Sequence, residues 1–514
     1  MLRHALGICA CLPLVGCAVF GPSGSGPEGM TRYDTDLRSL ARSGDFDRAL
    51  ELTEEGEGGA GDDLLRVLHR AAVLRYAGEY AESNRLLQEA ELEIDDRYTR
   101  SVSRAAASLL TNDRVLAYRP PRVERLMIHY VGALNYISLG DPAEAAVEAR
   151  RLATLLDGSE DMEFDPRELR LRRVLRYFTG AVFEAAGEWN DADVAYRNAW
   201  IGWDETAPPI DPDTLAQGAE LARALASITP ARLDRDVPAG RDSAEIVLVL
   251  ETGFIVHRVE RAVAVPIYRR DRDAFDSGDD DEKYDAGLCV AARTLGPSYV
   301  GPRSSSCHEP SGSSLFVVTA AWPALQRTGD RVVGGRLTVR GSTDRELPAV
   351  TAPPAETALA GAAAVGATTA AGALGGVWTD SASLRLTLDL SAAYAAEFDE
   401  RLGGVVAKAV ARAAAKYVVV DAARKAAKKE DEALGDVVGL VGNLAAIASE
   451  HADLRSWHLL PGAVRIARLR VPAGRAELTL VLDEAGRTSG RTIPLGSVAL
   501  DRGQIAIVAA RVWP

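Results

Sequence analysis

Gly44-Asp45-Phe46-Asp47-Arg48-Ala49, Gly78-Glu79-Tyr80-Ala81-Glu82-Ser83, Gly140-Asp141-Pro142-Ala143-Glu144-Ala145 and Gly187-Glu188-Trp189-Asn190-Asp191-Ala192 are four versions of one pattern. Each sets a glycine, an acidic residue, usually an aromatic, and a small residue five after the glycine. Glycine permits a tight turn between two helices. The acidic residue suits the start of the second helix, where the dipole favours negative charge. The small residue lets the two helices approach closely.

The first two glycines are 34 residues apart, which is the tetratricopeptide period. The later intervals, 62 and 47, leave room for insertions. In the fourth copy Gly180 and Phe183 supply the small and large residues of the first helix, and Tyr196 and Ala199 those of the second. Leu87 and Ala90 take the latter places in the second copy. Such units cannot bury their apolar faces alone, so residues 33–230 are expected to stack as a tetratricopeptide-like α–α superhelix with an inner groove.

Beyond a linker at 231–243 the period changes. Short β-branched or alternating runs follow at 245–250, 315–319, 336–340, 476–483 and 504–512. Leu384-Arg385-Leu386-Thr387-Leu388-Asp389-Leu390 alternates most cleanly. Val471-Pro472-Ala473-Gly474 reads as a hairpin turn between two strands. Residues 244–514 are therefore expected to form a β-rich, sandwich-like domain, giving a multidomain α + β protein. It is interrupted by an Ala/Gly-rich segment, 352–376, and by a helical insertion, 392–450. The Ala/Gly-rich segment is a loop, a packed helix or a membrane-entering segment.

The amino terminus predicts a location. Arg3, an 11-residue apolar run from Ala5 to Val15, and Leu14-Val15-Gly16-Cys17 make a secretory signal ending in a lipobox. The run is short of the roughly 20 residues a bilayer-crossing helix needs. Residues 1–16 are thus expected to be removed, Cys17 to carry acyl chains, and 17–32 to act as a flexible Gly/Ser/Pro tether. Ala18 after the cysteine points to the outer membrane, facing the periplasm.

The formal net charge of −14 argues against a nucleic-acid partner. Of five cysteines, Cys9 and Cys11 leave with the signal and Cys17 is acylated. Cys289 and Cys307 remain, in what reads as a loop-rich region. In an oxidising compartment they either pair or are two unrelated thiols.

Little of the chain reads as chemistry. Gly56-Glu57-Gly58-Gly59-Ala60-Gly61 fits a dinucleotide fingerprint on paper but sits among helices instead of after a strand. The acidic cluster Asp273, Asp276, Asp279, Asp280, Asp281, Glu282 and Asp285 lacks calcium-loop spacing and reads as a solvated loop. Ser456 and His458 lie close together without an orienting third group. No catalytic residue, metal site or cofactor is expected. Lys408, Arg412 and Lys416, continued by Arg424, Lys425, Lys428 and Lys429, form a basic stripe that is either solvated or turned to lipid head groups. In the third repeat Asn135 interrupts an apolar helix, where it satisfies a buried neighbour or lines a binding surface. Tyr130, Asn135, Arg150 and Arg151 are the partner-binding candidates.

Three stretches carry a wider likeness. They are the 124–151 block with Ala133-Leu134-Asn135-Tyr136, the 253–266 segment, and Ala452-Asp453-Leu454-Arg455-Ser456-Trp457-His458-Leu459-Leu460-Pro461. On these the chain resembles an uncharacterised family of bacterial envelope lipoproteins with tetratricopeptide-like N-terminal halves. The resemblance implies no catalytic residues. Gly253-Phe254-Ile255-Val256-His257-Arg258 departs from the Gly-x-x-Pro-x-Lys expected there.

The expected function is that of a lipid-anchored adaptor, not an enzyme, which binds an envelope protein through its repeats. The peptidoglycan-synthesis machinery is the partner class suggested by analogy of fold. The rivals are a subunit of an export or pore complex, with 352–450 membrane-active, and a cryptic hydrolase.

Overall fold

The computed structural model describes residues 30–54, 62–99, 117–158, 166–200, 243–277, 280–295, 307, 316–327, 329, 331–342, 377–429, 432, 437–439, 441, 451–487 and 489–513. The signal, Cys17, most of the tether and linker, the glycine run at 56–61 and the segment 352–376 lie outside the described residues.

The described chain opens with helix hairpins. Helices α1 (Arg32–Ser43) and α2 (Phe46–Glu54) form the first, and α3 (Asp63–Ala77) and α4 (Tyr80–Thr99) the second. The third is α5 (Arg122–Ser138) with α6 (Pro142–Asp157), and the fourth α7 (Pro166–Ala185) with α8 (Trp189–Trp200). The repeated motif is the turn of every hairpin. Gly44, Gly78, Gly140 and Gly187 adopt φ of 75°, 88°, 76° and 78°, which side chains disfavour. The acidic residue that follows donates its N–H back to Leu40, Leu74, Tyr136 or Phe183 in turn. Its own carbonyl accepts the N–H of the small residue four further on. Those small residues, Ala49, Ser83, Ala145 and Ala192, have no exposed surface. The hairpins stack in chain order, α2 on α3, α4 on α5 and α6 on α7.

The second half begins with β1 (Ser243–Thr252) and β2 (His257–Ile267), then α9 (Arg269–Ser277) and α10 (Asp280–Leu295). Strands β3 (Phe316–Gln326), β4 (Val332–Ser342), β5 (Val377–Ser383) and β6 (Leu386–Asp389) lead into the 39-residue helix α11 (Leu390–Lys428). Strands β7 (Ala463–Pro472), β8 (Gly474–Glu484), β9 (Arg491–Leu500) and β10 (Ile505–Val512) complete it. One sheet has the order β10-β1-β7-β6, a second β5-β4-β8-β9, and β2 with β3 forms a separate two-stranded ribbon.

Strand β1 explains the layering. It is buried on both faces, so it reads as a continuous apolar run. Ile246, Leu248 and Leu250 point to the second sheet and share a core with Leu337, Val339, Leu478, Leu480 and Leu482. Val247 and Val249 point the other way and join a core that runs through all four hairpins. The helical array and the first sheet therefore have one hydrophobic core in common. A third core lies between the ribbon, α10 and the distal part of α11, with Trp322, Val290, Val406 and Val410. The same region holds the Cys289–Cys307 disulfide.

Four local expectations need correction. The acidic cluster is helical at both ends, in α9 and α10, because Leu288, Val290 and Ala291 give α10 a buried stripe. The Leu384–Leu390 alternation yields only the short strand β6. Asp389 then caps α11 by accepting the Ala392 N–H, and the period switches to helical. Val471-Pro472-Ala473-Gly474 closes no hairpin within one sheet. It carries the chain from β7 to β8, which lie in different sheets. Proline cannot extend the β7 ladder, and Gly474 takes φ 139° at the corner. The basic stripe on α11 is broken, since Arg412 is buried where α10 packs on the helix. Beyond residue 429, residues 432, 437–439 and 441 of the helical insertion expected over 392–450 are described, and they are helical.

Two glycines of the fourth hairpin test these roles separately. A Cβ on Gly187 would meet nothing within 4 Å, whereas one on Gly180 would lie 2.6 Å from Cε1 of Tyr196. Gly187→Ala should cost about 1 kcal/mol through its left-handed backbone alone. Gly180→Ala should cost about 1–3 kcal/mol by overpacking. Urea unfolding of the two variants measures the order, and equal losses would contradict the packing argument.

Candidate functional site

Partner binding was expected on an inner groove of the repeats, and one face of the helical array is covered by the chain itself. Residues 451–461 run across it in irregular conformation, with Trp457, Leu459 and Leu460 buried in the shared core. Their main chain is held one residue at a time. His69 of α3 donates from Nε2 to the Ser456 carbonyl at 3.3 Å. Glu124 of α5 accepts the Trp457 N–H at 3.0 Å. Arg38 of α1 donates to the His458 carbonyl at 2.9 Å and to the Ile255 carbonyl at 2.7 Å. Tyr76 of α3 donates to the Leu459 carbonyl at 2.5 Å. Non-helical backbone inside a core must find hydrogen bonds somewhere, and these side chains supply them.

Charged pairs extend the seam over the first sheet. Alternation along β1 turns Glu245, Val247, Val249 and Glu251 toward the helices. Glu251 receives Arg75 of α3 at 2.9 Å, both side chains being almost fully buried. Arg468 of β7 pairs with Glu184 of α7 at 2.6 Å and with Glu245 at 2.5 Å, and it also donates to Tyr196 of α8. Asp62 caps α3 by accepting the Leu64 N–H, and it faces Arg97 at 2.8 Å and Arg455 at 3.6 Å. Helix α5 begins at Pro121, which offers no side-chain cap. Glu397 of α11 accepts the free N–H groups of Arg122 and Val123 instead, at 2.8 and 3.0 Å.

Titratable groups cluster at the same seam. His458 Nε2 lies 2.9 Å from Asp34 Oδ1, and the His458 and His69 rings are 4.4 Å apart. Burial and the neighbouring His458 push His69 well below the usual imidazole range. Burial also lowers His458, partly offset by Asp34. Burial alone would raise Asp34, but the facing His458 outweighs it and holds the carboxyl at about 2. Glu124 is opposite in sign, since burial pushes it up to about 7 against the Tyr118 hydroxyl and Trp457 N–H that donate to it.

The partner-binding candidates are not brought together as a surface. Tyr130 and Asn135 have no exposed area. Tyr130 packs on Phe178 with ring centroids 4.8 Å apart. Asn135 donates to Ser83 Oγ at 3.0 Å and Asn84 Oδ1 at 2.8 Å, joining α5 to α4. Neither can meet a partner in this state. The cavity beside Asn84, Glu91, Tyr136 and Glu148 is about 10 Å³, room for one water at most. Arg150 and Arg151 are half exposed and splay apart. Arg151 reaches back to Glu91 of α4 at 2.9 Å, and Arg150 reaches forward to Glu188 and Asp191 of the fourth hairpin. Among the described residues no group of three or more His, Cys, Asp or Glu side chains is placed to hold a metal ion.

Sequence reading missed Arg38, His69, Arg75, Glu124 and Arg468. For four of them the signal was a charged or polar residue within an apolar helix stretch, as Arg38 lies between Leu37 and Ala41 in α1, and for Arg468 one within the strand β7. That signal says a partner is needed and not which one.

Glu124 has a pH signature. Its folded value, about 7, exceeds its ordinary 4.5, so the folded state binds the extra proton. Its contribution is complete below about 4.5 and is lost as pH rises through about 7, roughly 3 kcal/mol in all. Glu124→Gln mimics the neutral acid, and its stability relative to wild type should grow across that window in chemical denaturation. A constant difference would contradict the assignment. Arg75→Leu should cost about 3–5 kcal/mol, because Glu251 is left charged and buried. Calorimetry should then show both halves of the protein melting at a lower temperature together. Comparison of the chain with family models, with curated proteins and with solved structures gives no match.

Proposed function

We propose that this protein is a lipid-anchored adaptor of the bacterial cell envelope, held through Cys17 at the periplasmic face of the outer membrane and acting without catalysis. Its four hairpins are read as tetratricopeptide-like units whose groove binds the protein's own C-terminal half. The partner, an envelope protein of the peptidoglycan-assembly class, docks on the outer side of the array. One observation carries this choice of surface: Leu92 of α4 is 74% exposed and Val194 of α8 is 55% exposed. Large apolar side chains that open to water mark interaction sites where they form a patch. Leu92 follows Glu91, and Val194 lies one helical turn beyond Asp191, the carboxylates that Arg151 and Arg150 reach from α6. Arg150 and Arg151 lie between them on α6 and tie the neighbouring hairpins to it.

The hydrolase reading has less support. Ser456 and His458 are 4% and 1% exposed inside the seam, where a substrate has no access. The membrane-active reading is favoured by a different observation. Val317 on the ribbon, Val419 on α11, and Val437 and Val441 beyond it are all more than half exposed.

Crosslinking and pull-down from the envelope tests the adaptor. Leu92→Asp with Val194→Asp should lose the partner while keeping the wild-type melting temperature. An unchanged partner list would overturn the outer surface. Binding of the whole chain to liposomes without its lipid, abolished by Val419→Asp, would favour the membrane-active reading. Cys17→Ala should release the protein from the membrane fraction, and unchanged fractionation would overturn the anchor.

A further inference from the structure

The histidines of the seam are not required by the adaptor reading, and they are packed where added protons would crowd one another and Arg38. Arginine has only donors, yet Arg38 Nη1 lies 3.2 Å from His257 Nδ1. His257 must therefore present a lone pair there and be neutral. His69 donates from Nε2 to the Ser456 carbonyl, and its Nδ1 lies 3.5 Å from the Tyr33 hydroxyl, which can donate to it while burial favours the neutral ring. The His458 ring stacks at 4.4 Å on that of His69. All three histidines and Arg38 are at most 2% exposed.

Protonating all three rings would set three cations beside the Arg38 guanidinium. To this cluster α1 contributes Tyr33, Asp34 and Arg38. From α3 come Arg66 and His69, from α5 Glu124 on the Trp457 N–H, from β2 His257, and from the 451–461 segment Asp453, Arg455 and His458. Asp34 is the carboxylate beside the histidine pair, and it already faces His458 at 2.9 Å. Asp453 is engaged with Arg455 at 2.7 Å. A proton on His69 would meet His458 and Arg38, and a proton on His257 would meet Arg38 directly. Elsewhere the seam rests on arginine–carboxylate pairs, Arg75 with Glu251 and Arg468 with Glu184 and Glu245.

We propose that His69, His257 and His458 form an acid-sensitive latch, whose protonation parts α1 and α3 from residues 455–459 before the rest of the protein unfolds. The sign agrees with burial. Histidines held neutral in the folded state stabilise it fully above the ordinary value of 6.5, and that stability is lost as pH falls below it. The device adds regulation to the molecule whether or not the docking surface on the outer helices is correct.

Hydrogen exchange of the full chain, corrected for intrinsic rates, provides the test at about pH 7.5 and about pH 5.5, on either side of the ordinary histidine range. Peptides from Arg32–Ser43, Asp63–Ala77 and 455–461 should lose protection about tenfold or more at the lower pH. Peptides from α7 and β1 should keep theirs. His69→Gln with His257→Asn keeps hydrogen-bonding groups that do not titrate, and should keep protection at both pH values. The latch is overturned if wild type stays protected, if all peptides lose protection together, or if the double variant opens as wild type does. Should the double variant not fold, the wild-type unfolding constant decides. It should rise about tenfold or more per pH unit below 6.5, the slope of at least two histidine protons taken up less the one that Glu124 gives up on unfolding. A slope under tenfold would reject the latch.

Discussion

Four consecutive residues, Ser456 to Leu459, cross the helical array with their backbone groups bound by His69, Glu124, Arg38 and Tyr76. The rest of the structure depends on this contact. It lets irregular chain lie inside a core, it seats Trp457 at no exposure, and it brings α1, α3 and α5 to a common target. An unpaired buried carbonyl or amide costs about 1–3 kcal/mol, so removing any of these side chains would leave an uncompensated group and not merely one bond fewer. The buried ion pairs beside it follow the same logic. Their net worth against apolar replacements is small, but each fixes one docking of helices on sheet and penalises others.

One face of the array of helix hairpins meets β1, β10 and the 451–461 segment of the same chain. Arg150 and Arg151 take a role other than the expected one. Adjacent on α6, they point to opposite neighbours and help to clamp three hairpins together, as exposed pairs of modest individual strength. The seam also gathers groups of opposite titration behaviour, a carboxylic acid stabilised by its proton and histidines stabilised without one.

Much of the helical half was legible. Each glycine motif states its own geometry, because a left-handed turn residue, an acidic helix start and a buried small residue are local requirements that four copies repeat. The packing partner of Gly180 was legible too, since Tyr196 stands at the matching place in the next helix. In the second half, β-branched or alternating runs placed β1, β3, β4, β8 and β10 but not β2, β5 or β9, and pairing was hidden. Nothing in Val471-Pro472-Ala473-Gly474 distinguishes a hairpin from a crossing between sheets, and the clean alternation at 384–390 competed with an N-cap at Asp389.

The amino-acid sequence alone determined the helix hairpins and their turns, the continuous apolar strand β1, and an expectation of export and lipid attachment through Cys17. These follow from interactions within a few residues or from periodicity along one element. Only the tertiary structure decided what covers one face of the array, which charges meet, and that Tyr130 and Asn135 are core instead of surface. Those outcomes join residues hundreds of positions apart, as Arg38 joins His458 and Arg75 joins Glu251. A buried charge announces in sequence that it must have a partner, but which partner it has depends on how two independently patterned layers come to rest on one another.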